Sequence, residues 1–144
     1  GYNLRSTEIN AAAGIEQLKK LPNLIKKRRK NANLYKNLFK HSKFILQKEI
    51  GRSSSFWLTF IIKKEFGLKR NYLIKKLKNI GVECRPIVSG NFVKNKVCKY
   101  LDFKVHGKLK NANYISKNGF AIGNNHYNLS SNLKKIKLFF DNIK

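Results

Sequence analysis

The chain has 144 residues, which is the length of one ordinary domain. Hydrophobic residues make up 42% of it and aromatic residues 12%, so a disordered chain is excluded. No apolar run approaches the roughly 18 residues that a membrane span needs, and no signal peptide is recognisable. The chain contains no Met, so we do not expect Gly1 to be a native start and interpret the chain as one domain of a longer protein.

The charge is strongly basic. Lys and Arg number 32 and Asp and Glu only 7, which gives a formal net charge of +25. Such an excess is typical of proteins with phosphate-rich partners. However, most of the basic residues are Lys, and frequent Lys, Asn and Ile also result from A/T-rich coding sequence. Because no zinc finger or RNA-binding signature accompanies the charge, nucleic acid is disfavoured as a partner, and a nucleic-acid-binding module is kept as an alternative.

Helix signals dominate the first third of the chain. Ser6 or Thr7 is placed to cap a helix over residues 8–21, whose first turn contains an acidic side chain. Pro22 then breaks that helix or starts the next one, as proline does at a first helical position. The second helix is predicted to end near residue 41.

The second predicted helix has an apolar stripe and an opposite basic face, which is typical of a surface helix. Arg28 is the basic residue that falls inside the apolar sector. The stripe comprises Leu24, Ile25, Ala32, Tyr35, Leu38 and Phe39, and the basic face comprises Lys26, Arg29, Lys30, Lys36 and Lys40.

Three segments have strand character. Residues 56–64 carry apolar side chains on both faces, which predicts a central strand. Residues 82–88 form a second strand in which Pro86 favours an edge position or a strand end. Residues 120–123 form the third. Helices are predicted over residues 69–80, ended by Gly81, and over 94–101, 109–118 and 130–143, the last capped by Ser130 or Ser131.

These elements predict an α+β domain of two layers. Its sheet has three strands and is antiparallel, with helices packed on one face. The pattern shows no internal repeat, and the whole chain is interpreted as a single domain.

No catalytic constellation is apparent in the chain itself. His41, His106 and His126 are scattered, and none stands at metal-ligand spacing from another His, Cys or acid. No metal site is therefore predicted. Cys84 lies in the middle of a predicted strand, which favours a buried structural thiol over a nucleophile.

Two polar segments do not suit a core. The first is the start of the chain, where Tyr2, Asn3 and Arg5 precede a predicted helix. A guanidinium fork, an amide and a helix N-terminus together suit an anion. The alternative interpretation is a loop that merely caps the helix.

The second polar segment follows the strand that ends near Pro86. Arg85 precedes a turn, Ser89-Gly90-Asn91-Phe92, whose proline and glycine favour a rigid platform for ligand oxygens. The alternative is an ordinary strand–turn–helix connection, which the spacing alone favours.

The order of residues at the start of the chain resembles a known family. Residues 1–14, GYNLRSTEINAAAG, followed by Gln17, Leu18 and Leu21, closely resemble the passage from the large to the small domain in DegT/DnrJ/EryC1/StrS sugar aminotransferases. Residues 81–92 and 111–120 look most like the branch that removes the 3-hydroxyl of GDP-4-keto-6-deoxy-D-mannose in colitose synthesis.

This resemblance implies that the chain is the small C-terminal domain of a fold-type-I pyridoxal-phosphate-dependent transferase. Residues 1–21 would be the connecting helix segment and residues 22–144 the small domain. The family forms homodimers whose active sites lie between subunits. The resemblance also implies a nucleotide-sugar substrate, glutamate as amino donor, a cytoplasmic location and a role in deoxysugar and lipopolysaccharide O-antigen biosynthesis.

The resemblance also implies roles for particular residues. Asn3 and Arg5, with Tyr2 beside them, match the segment that reaches the cofactor phosphate of the partner subunit. Arg85 and Ser89-Gly90-Asn91-Phe92 match the stretch that faces the substrate.

The catalytic base is expected outside the chain. The Lys that binds the cofactor in aminotransferases, or the His that replaces it in the dehydratase branch, would lie upstream of Gly1. We therefore predict no catalytic residue from Gly1 onward and expect this chain alone to be inactive. A sugar aminotransferase remains the alternative to the dehydratase.

Overall fold

Residues 6–143 are described by a computed structural model and form four α-helices and four β-strands. In chain order these are α1 (Glu8–Phe39), β1 (Phe44–Leu46), β2 (Trp57–Ile62), α2 (Arg70–Asn79), β3 (Cys84–Pro86), α3 (Lys110–Asn118), β4 (Gly119–Gly123) and α4 (Ser130–Asn142). Short 3₁₀ turns occupy Lys64–Phe66, Phe92–Lys94 and Lys96–Tyr100.

The strands form one sheet in the order β1-β2-β4-β3, and every neighbouring pair is antiparallel. The predicted antiparallel α+β class is confirmed, as are the central position of β2 and the edge position of β3, which ends at Pro86. The predicted number of three strands is wrong. The additional strand, β1, has only three residues, and a segment that short has too little alternation to be recognised in a sequence.

The core lies on one face of this sheet, between the strands and the helices α1, α2 and α4. Phe60 and Phe120 are opposite each other in β2 and β4, and their rings stack with centroids 5.3 Å apart. Phe39 of α1 packs edge-on against Phe60 at 5.1 Å. All three rings are fully buried, and truncating one to alanine costs about 3–5 kcal/mol at such sites. Among residues 6–143, none of the buried core residues belongs to α3.

Helix α1 is continuous, so the predicted break at Pro22 is wrong. A proline in a helix interior removes one backbone hydrogen bond, to the carbonyl four residues earlier, which here is that of Leu18. Residues 6–23 are all exposed, and water can therefore hydrate that carbonyl. The buried face of α1 is confined to its second half, where Ala32, Tyr35 and Phe39 of the predicted stripe enter the core.

Two of the predicted helix ends are confirmed. The Thr7 side chain accepts a hydrogen bond of 3.3 Å from the backbone N–H of Asn10 and so caps α1. Gly81 follows α2 with φ of +80°, and its N–H donates to the carbonyl of Lys78 at 2.9 Å. Glycine suits this position because the left-handed conformation strains other residues.

Two other helix predictions are wrong in detail. Helix α4 begins at Ser130, but the cap is neither Ser130 nor Ser131: the side-chain oxygen of Asn128 accepts the N–H of Ser130 at 3.0 Å. The helix predicted over residues 94–101 consists of 3₁₀ turns. Side chains of Asn91 and Asn95 cap these turns in succession, and such local bonds favour short turns over a longer α-helix.

Candidate functional site

The loop after β3 contains a turn that has positive backbone φ angles and packs closely against α3. Ser89 and Gly90 both have positive φ, +61° and +51°, and the N–H of Gly90 donates to the carbonyl of Ile87 at 3.0 Å. A Cβ at Gly90 would lie 2.5 Å from the hydroxyl oxygen of Ser116 in α3. The turn therefore rests directly on α3, where the backbone angle at Gly90 favours glycine and the space beside it leaves little room for a Cβ.

Asn91 holds this turn in place. Asn91 is only 7% exposed, and its side-chain amide donates a hydrogen bond of 2.9 Å to the side-chain oxygen of Asn113 in α3. Its side-chain oxygen accepts the N–H of Val93 at 3.3 Å. Because both ends of the amide are used within the fold, Asn91 positions the residues that follow it.

The residues on either side of that anchor are exposed and apolar. Val88 is 75% exposed and Phe92 is 50% exposed. The following segment, residues 93–105, continues this exposed apolar surface with Val93, Val97, Tyr100, Leu101, Phe103 and Val105. Residues 88–105 thus expose several apolar side chains among polar and charged ones.

Arg85 lies on the edge strand and opens onto a different part of the surface. Its side chain is 62% exposed, and its guanidinium forms an ion pair of 2.6 Å with Glu83. It lines a groove between α2 and α4, whereas Pro86 and Val88 line a separate recess. The structure therefore places Arg85 in one concavity and the residues just before the turn, Pro86 and Val88, in another.

The recess beside Val88 contains polar residues that the sequence had not indicated. It has a volume of about 310 Å³ and combines an ion pair with an apolar wall. Lys36 donates to Glu49 at 2.9 Å, and the N–H of Ser53 donates to the same carboxylate at 2.6 Å. These two hydrogen bonds, with the Lys36 bond the stronger cause, lower the pKa of Glu49. Glu49 is one of only seven acids in a basic chain, and that scarcity was the available signal.

Tyr35 closes the recess towards the core. β1 pairs with β2 only as far as Leu46, opposite Phe60, so the carbonyl of Thr59 lies beyond this ladder. The hydroxyl of Tyr35 donates to that carbonyl. Burial raises the pKa of Tyr35, which stays protonated and serves as a permanent donor.

The titratable residues give no sign of a metal centre. Within residues 6–143 no group of three or more His, Cys, Asp or Glu side chains is placed to hold a metal ion. Cys84 is buried, as predicted for a structural thiol, and burial raises its pKa to about 11. A thiol protonated at neutral pH is a poor nucleophile.

The first predicted site, Tyr2, Asn3 and Arg5, lies outside the described residues. Gly1 lies outside the described residues as well. The catalytic base is expected upstream of Gly1, and its position stays a prediction. The adjoining half of α1 is described, and its apolar side chains are uncovered: Ile9 is 82% exposed. The structure offers no geometry for cofactor contacts by the three residues.

No helix in the described part of the chain is both long and apolar enough to cross a membrane.

The chain matches a known protein family over most of its length. The profile of the DegT/DnrJ/EryC1/StrS aminotransferase family matches residues 1–133, and the chain belongs to this family. It is 47% identical over 138 residues to GDP-4-keto-6-deoxy-D-mannose 3-dehydratase of Yersinia pseudotuberculosis, covering 94% of this chain and 35% of that protein. It is 50% identical over 131 residues to the enzyme of that name from Escherichia coli O55:H7, covering 90% and 34%.

A solved structure agrees with these sequence relatives. The E. coli GDP-4-keto-6-deoxy-D-mannose-3-dehydratase with bound hydrated PLP superposes with a TM-score of 0.92 at 46% identity, covering 97% of this chain and 36% of that one. GDP-perosamine synthase of Vibrio cholerae is 37% identical over 87 residues, 59% of this chain and 24% of that protein. The chain thus spans about a third of the length of the curated dehydratases that it matches.

Proposed function

We propose that this chain is the C-terminal domain of a pyridoxal-phosphate-dependent GDP-4-keto-6-deoxymannose 3-dehydratase, which removes the C3 hydroxyl in deoxysugar and O-antigen biosynthesis. The observation that carries the proposal is identity near one half with two such dehydratases over at least nine-tenths of the chain. In this proposal residues 1–21 connect to a large domain that precedes Gly1 and holds the catalytic base, and residues 22–144 form the small domain.

The proposed enzyme is a cytoplasmic homodimer that takes a nucleotide sugar and glutamate. Pyridoxal phosphate supplies an electron sink to such enzymes when it is bound. Asn3 and Arg5 would donate hydrogen bonds to its phosphate from the neighbouring subunit, and Tyr2 would form part of the same wall. A planar guanidinium is well suited to a phosphate because it can donate two parallel hydrogen bonds.

Arg85 and the turn would form the substrate side of the domain. The side chain of Arg85 is 62% exposed, and its guanidinium can bind phosphate oxygens in place of Glu83. Giving up this ion pair costs little stability, because exposed ion pairs contribute little. Ser89 and Phe92 are exposed and would contact the ligand. Gly90 and Asn91 would act by fixing the turn on α3.

A domain exchange tests the proposal. The segment of the E. coli O55:H7 dehydratase that this chain matches is replaced by the chain, and glutamate-dependent deoxygenation of GDP-4-keto-6-deoxy-D-mannose is measured. We expect the chimera to keep activity within about tenfold of the unmodified enzyme, a difference of ~1.4 kcal/mol in the barrier. The matched control carries the corresponding segment of GDP-perosamine synthase. A folded dimeric chimera with no more activity than this control would contradict the proposal that the chain serves as the small domain of such a dehydratase.

The same chimera tests Arg5. Arg5→Ala is expected to weaken cofactor affinity about 10- to 100-fold, since a charge-assisted contact contributes roughly 1.5–3 kcal/mol. Arg5→Lys is expected to recover only part of that loss. Mixed dimers of Arg5→Ala subunits with subunits that lack the catalytic base should regain about half of a dimer's activity. If verified mixed dimers regain none, Arg5 does not act across the subunit boundary.

A nucleotide-sugar aminotransferase is the second candidate, and the match to GDP-perosamine synthase favours it. The two candidates differ in one residue of the large domain, which is Lys in the aminotransferases and His in the dehydratases. Product analysis of the native enzyme separates them, because an aminotransferase product retains the C3 hydroxyl and gains an amino group. A nucleic-acid-binding domain would instead bind random duplex DNA with a log–log salt slope of about −0.9 per phosphate contact.

A further inference from the structure

Two residues at the end of α3 support the turn after β3. A Cβ at Gly90 would lie 2.5 Å from the hydroxyl oxygen of Ser116. Where α3 passes into β4, a Cβ at Gly119 would lie 2.7 Å from Cγ1 of Ile87, whose carbonyl accepts the N–H of Gly90. The turn and the segment that leads into it therefore pack against Ser116 and Gly119. Because this packing is close, a shift of the two supporting residues would displace the turn.

Arg70, the first residue of α2, binds the same two residues. Its guanidinium nitrogen Nη1 donates to the carbonyl of Ser116 at 2.7 Å and, in a longer contact of 3.4 Å, to that of Gly119. Ser116 lies in the last turn of α3, where carbonyls lack partners within the helix and a positive charge is favourable. Leu73 and Leu77 of α2 are fully buried, so Arg70 extends to α3 from a helix that is fixed in the core.

The position of α3 depends strongly on side-chain hydrogen bonds. Among residues 6–143, none of the buried core residues belongs to this helix. The hydroxyl of Tyr114 donates to the carbonyl of Ile62 in β2 at 2.7 Å. The bond between Asn91 and Asn113 joins α3 to the turn itself and does not fix α3 to the core. Arg70 thus ties the end of α3 on which the turn rests to a core helix.

We propose that Arg70 is a positioning residue for substrate binding. By holding the carbonyls of Ser116 and Gly119, it keeps the end of α3 against the turn, and the turn then presents Ser89 and Phe92 to the nucleotide sugar. This inference rests on the proposed function, in which these two side chains contact the substrate. Arg70 acts through α3 and not by touching the substrate.

Hydrogen exchange, followed by mass spectrometry, tests the hold on the turn independently of activity. The N–H groups of Gly90 and Val93 are hydrogen-bonded within the loop. In the chimeric dehydratase, Arg70→Ala should speed the exchange of residues 87–95 at least about tenfold relative to residues 57–62 of β2, because the loop opens more often. Arg70→Lys should have a smaller effect, because an ammonium retains the charge and donors of the guanidinium without its planar shape.

The matched control is Arg29→Ala. The Arg29 guanidinium also donates to two backbone carbonyls, those of Ser53 at 2.8 Å and Arg52 at 3.2 Å, but these belong to the loop that leads into β2. This control should leave the exchange of residues 87–95 within about twofold of the unsubstituted chimera. Circular dichroism verifies that each variant is folded, and Arg70→Lys takes over the test if Arg70→Ala does not fold. Unchanged exchange in the folded Arg70 variant, or an equal increase in the control, would overturn the proposal.

Substrate kinetics of the chimera test the consequence for binding. Arg70→Ala should raise the KM for GDP-4-keto-6-deoxy-D-mannose about three- to thirtyfold while kcat changes less than about threefold, which is the pattern of lost substrate binding. Arg29→Ala should leave the KM within about twofold. A general loss of stability would instead lower kcat with the fraction of active enzyme and leave the KM unchanged.

The two measurements together decide the role of Arg70. An unchanged KM in spite of faster exchange would overturn the role in substrate binding, and a raised KM without faster exchange would show that Arg70 acts by direct contact. Either result contradicts the proposal. An inactive chimera would contradict the proposed function instead, and the exchange of residues 87–95 would still decide whether Arg70 holds the turn.

Discussion

Asn31 of α1 donates its side-chain amide to the side-chain oxygen of Asn124 at 3.3 Å, across 93 positions of sequence. The same amide nitrogen donates to the carbonyls of Asn125 and Tyr127 at 2.9 and 2.7 Å. Asn124 in turn donates to the carbonyl of Ser55 at 2.6 Å. Both asparagines are at most 4% exposed. One buried amide pair therefore ties α1 to the loop after β4 and to the loop that enters β2.

Asn31→Ala should lower the free energy of unfolding by about 1–3 kcal/mol, because it removes the donor to the buried side-chain oxygen of Asn124 and to the part-buried carbonyls of Asn125 and Tyr127. Urea denaturation at neutral pH measures this change. The control is Asn33→Ala on the exposed face of the same helix, which should stay within about 0.5 kcal/mol of the original protein. Equal losses in the two variants would show that the amide pair is not a special source of stability.

Gly90→Ala should destabilise the chain by about 1–3 kcal/mol. The added Cβ meets the Ser116 hydroxyl at 2.5 Å and also occupies a backbone with φ of +51°. Gly107→Ala is the matched control, because Gly107 has φ of +72° and open space around it. The difference between the two midpoints of unfolding measures the steric part. Adding Ser116→Ala should recover some of the loss at Gly90 and none at Gly107; the reverse pattern would contradict the close fit.

The lowered pKa of Glu49 predicts sensitivity to acid. The hydrogen bond from Lys36, followed by that from the N–H of Ser53, favours the carboxylate in the folded protein. Its contribution is therefore complete above the ordinary pKa of 4.5 and is lost as the pH falls through the folded value. Glu49→Gln should flatten the decline of the urea midpoint below about pH 5, whereas Glu65→Gln, an exposed control, should not. Parallel declines in both variants would exclude Glu49 as a cause.

The raised pKa of Cys84 predicts protection from alkylation. Its folded pKa of about 11 exceeds the ordinary 9.0 because burial disfavours the thiolate. Stability should accordingly fall as the pH rises above 9.0, where the unfolded thiol ionises first. In a Cys98→Ser variant, iodoacetamide should modify Cys84 only on unfolding, as followed by mass spectrometry. Modification of the folded protein at the rate of an unfolded peptide would contradict this burial.

The sequence predicted those elements whose signal is local. The alternation around β2 and the glycine after α2 are readable because the neighbours that decide them lie within a few residues. The prediction of a helix break at Pro22 failed for a tertiary reason. A helix can continue through a proline where water hydrates the carbonyl that loses its hydrogen bond, here that of Leu18. That depends on the tertiary structure, which places this part of α1 in solvent.

Parts of the candidate site could not be predicted from the sequence, because they depend on contacts between residues that are far apart along the chain. Asn91 reads as a ligand residue in sequence, but its amide is engaged by Asn113, 22 positions away. The recess at Glu49 arises only where β1 stops short of the full length of β2. The roles proposed for Asn3 and Arg5, and the catalytic base expected upstream of Gly1, rest on family resemblance.

Helix α1 is long in relation to the domain that holds it. The distance along the axis from Tyr35 to Glu8 is about 40 Å at 1.5 Å per residue, and the first half makes no buried contact within the described chain. The helix is thus fixed in the domain at one end, where the rings of Tyr35 and Phe39 are buried, and its other end projects from the domain. A tilt of about 5° at Tyr35 would move the other end of the helix by about 3–4 Å over this length. Substitutions in the core could therefore misalign groups attached to that end without touching them.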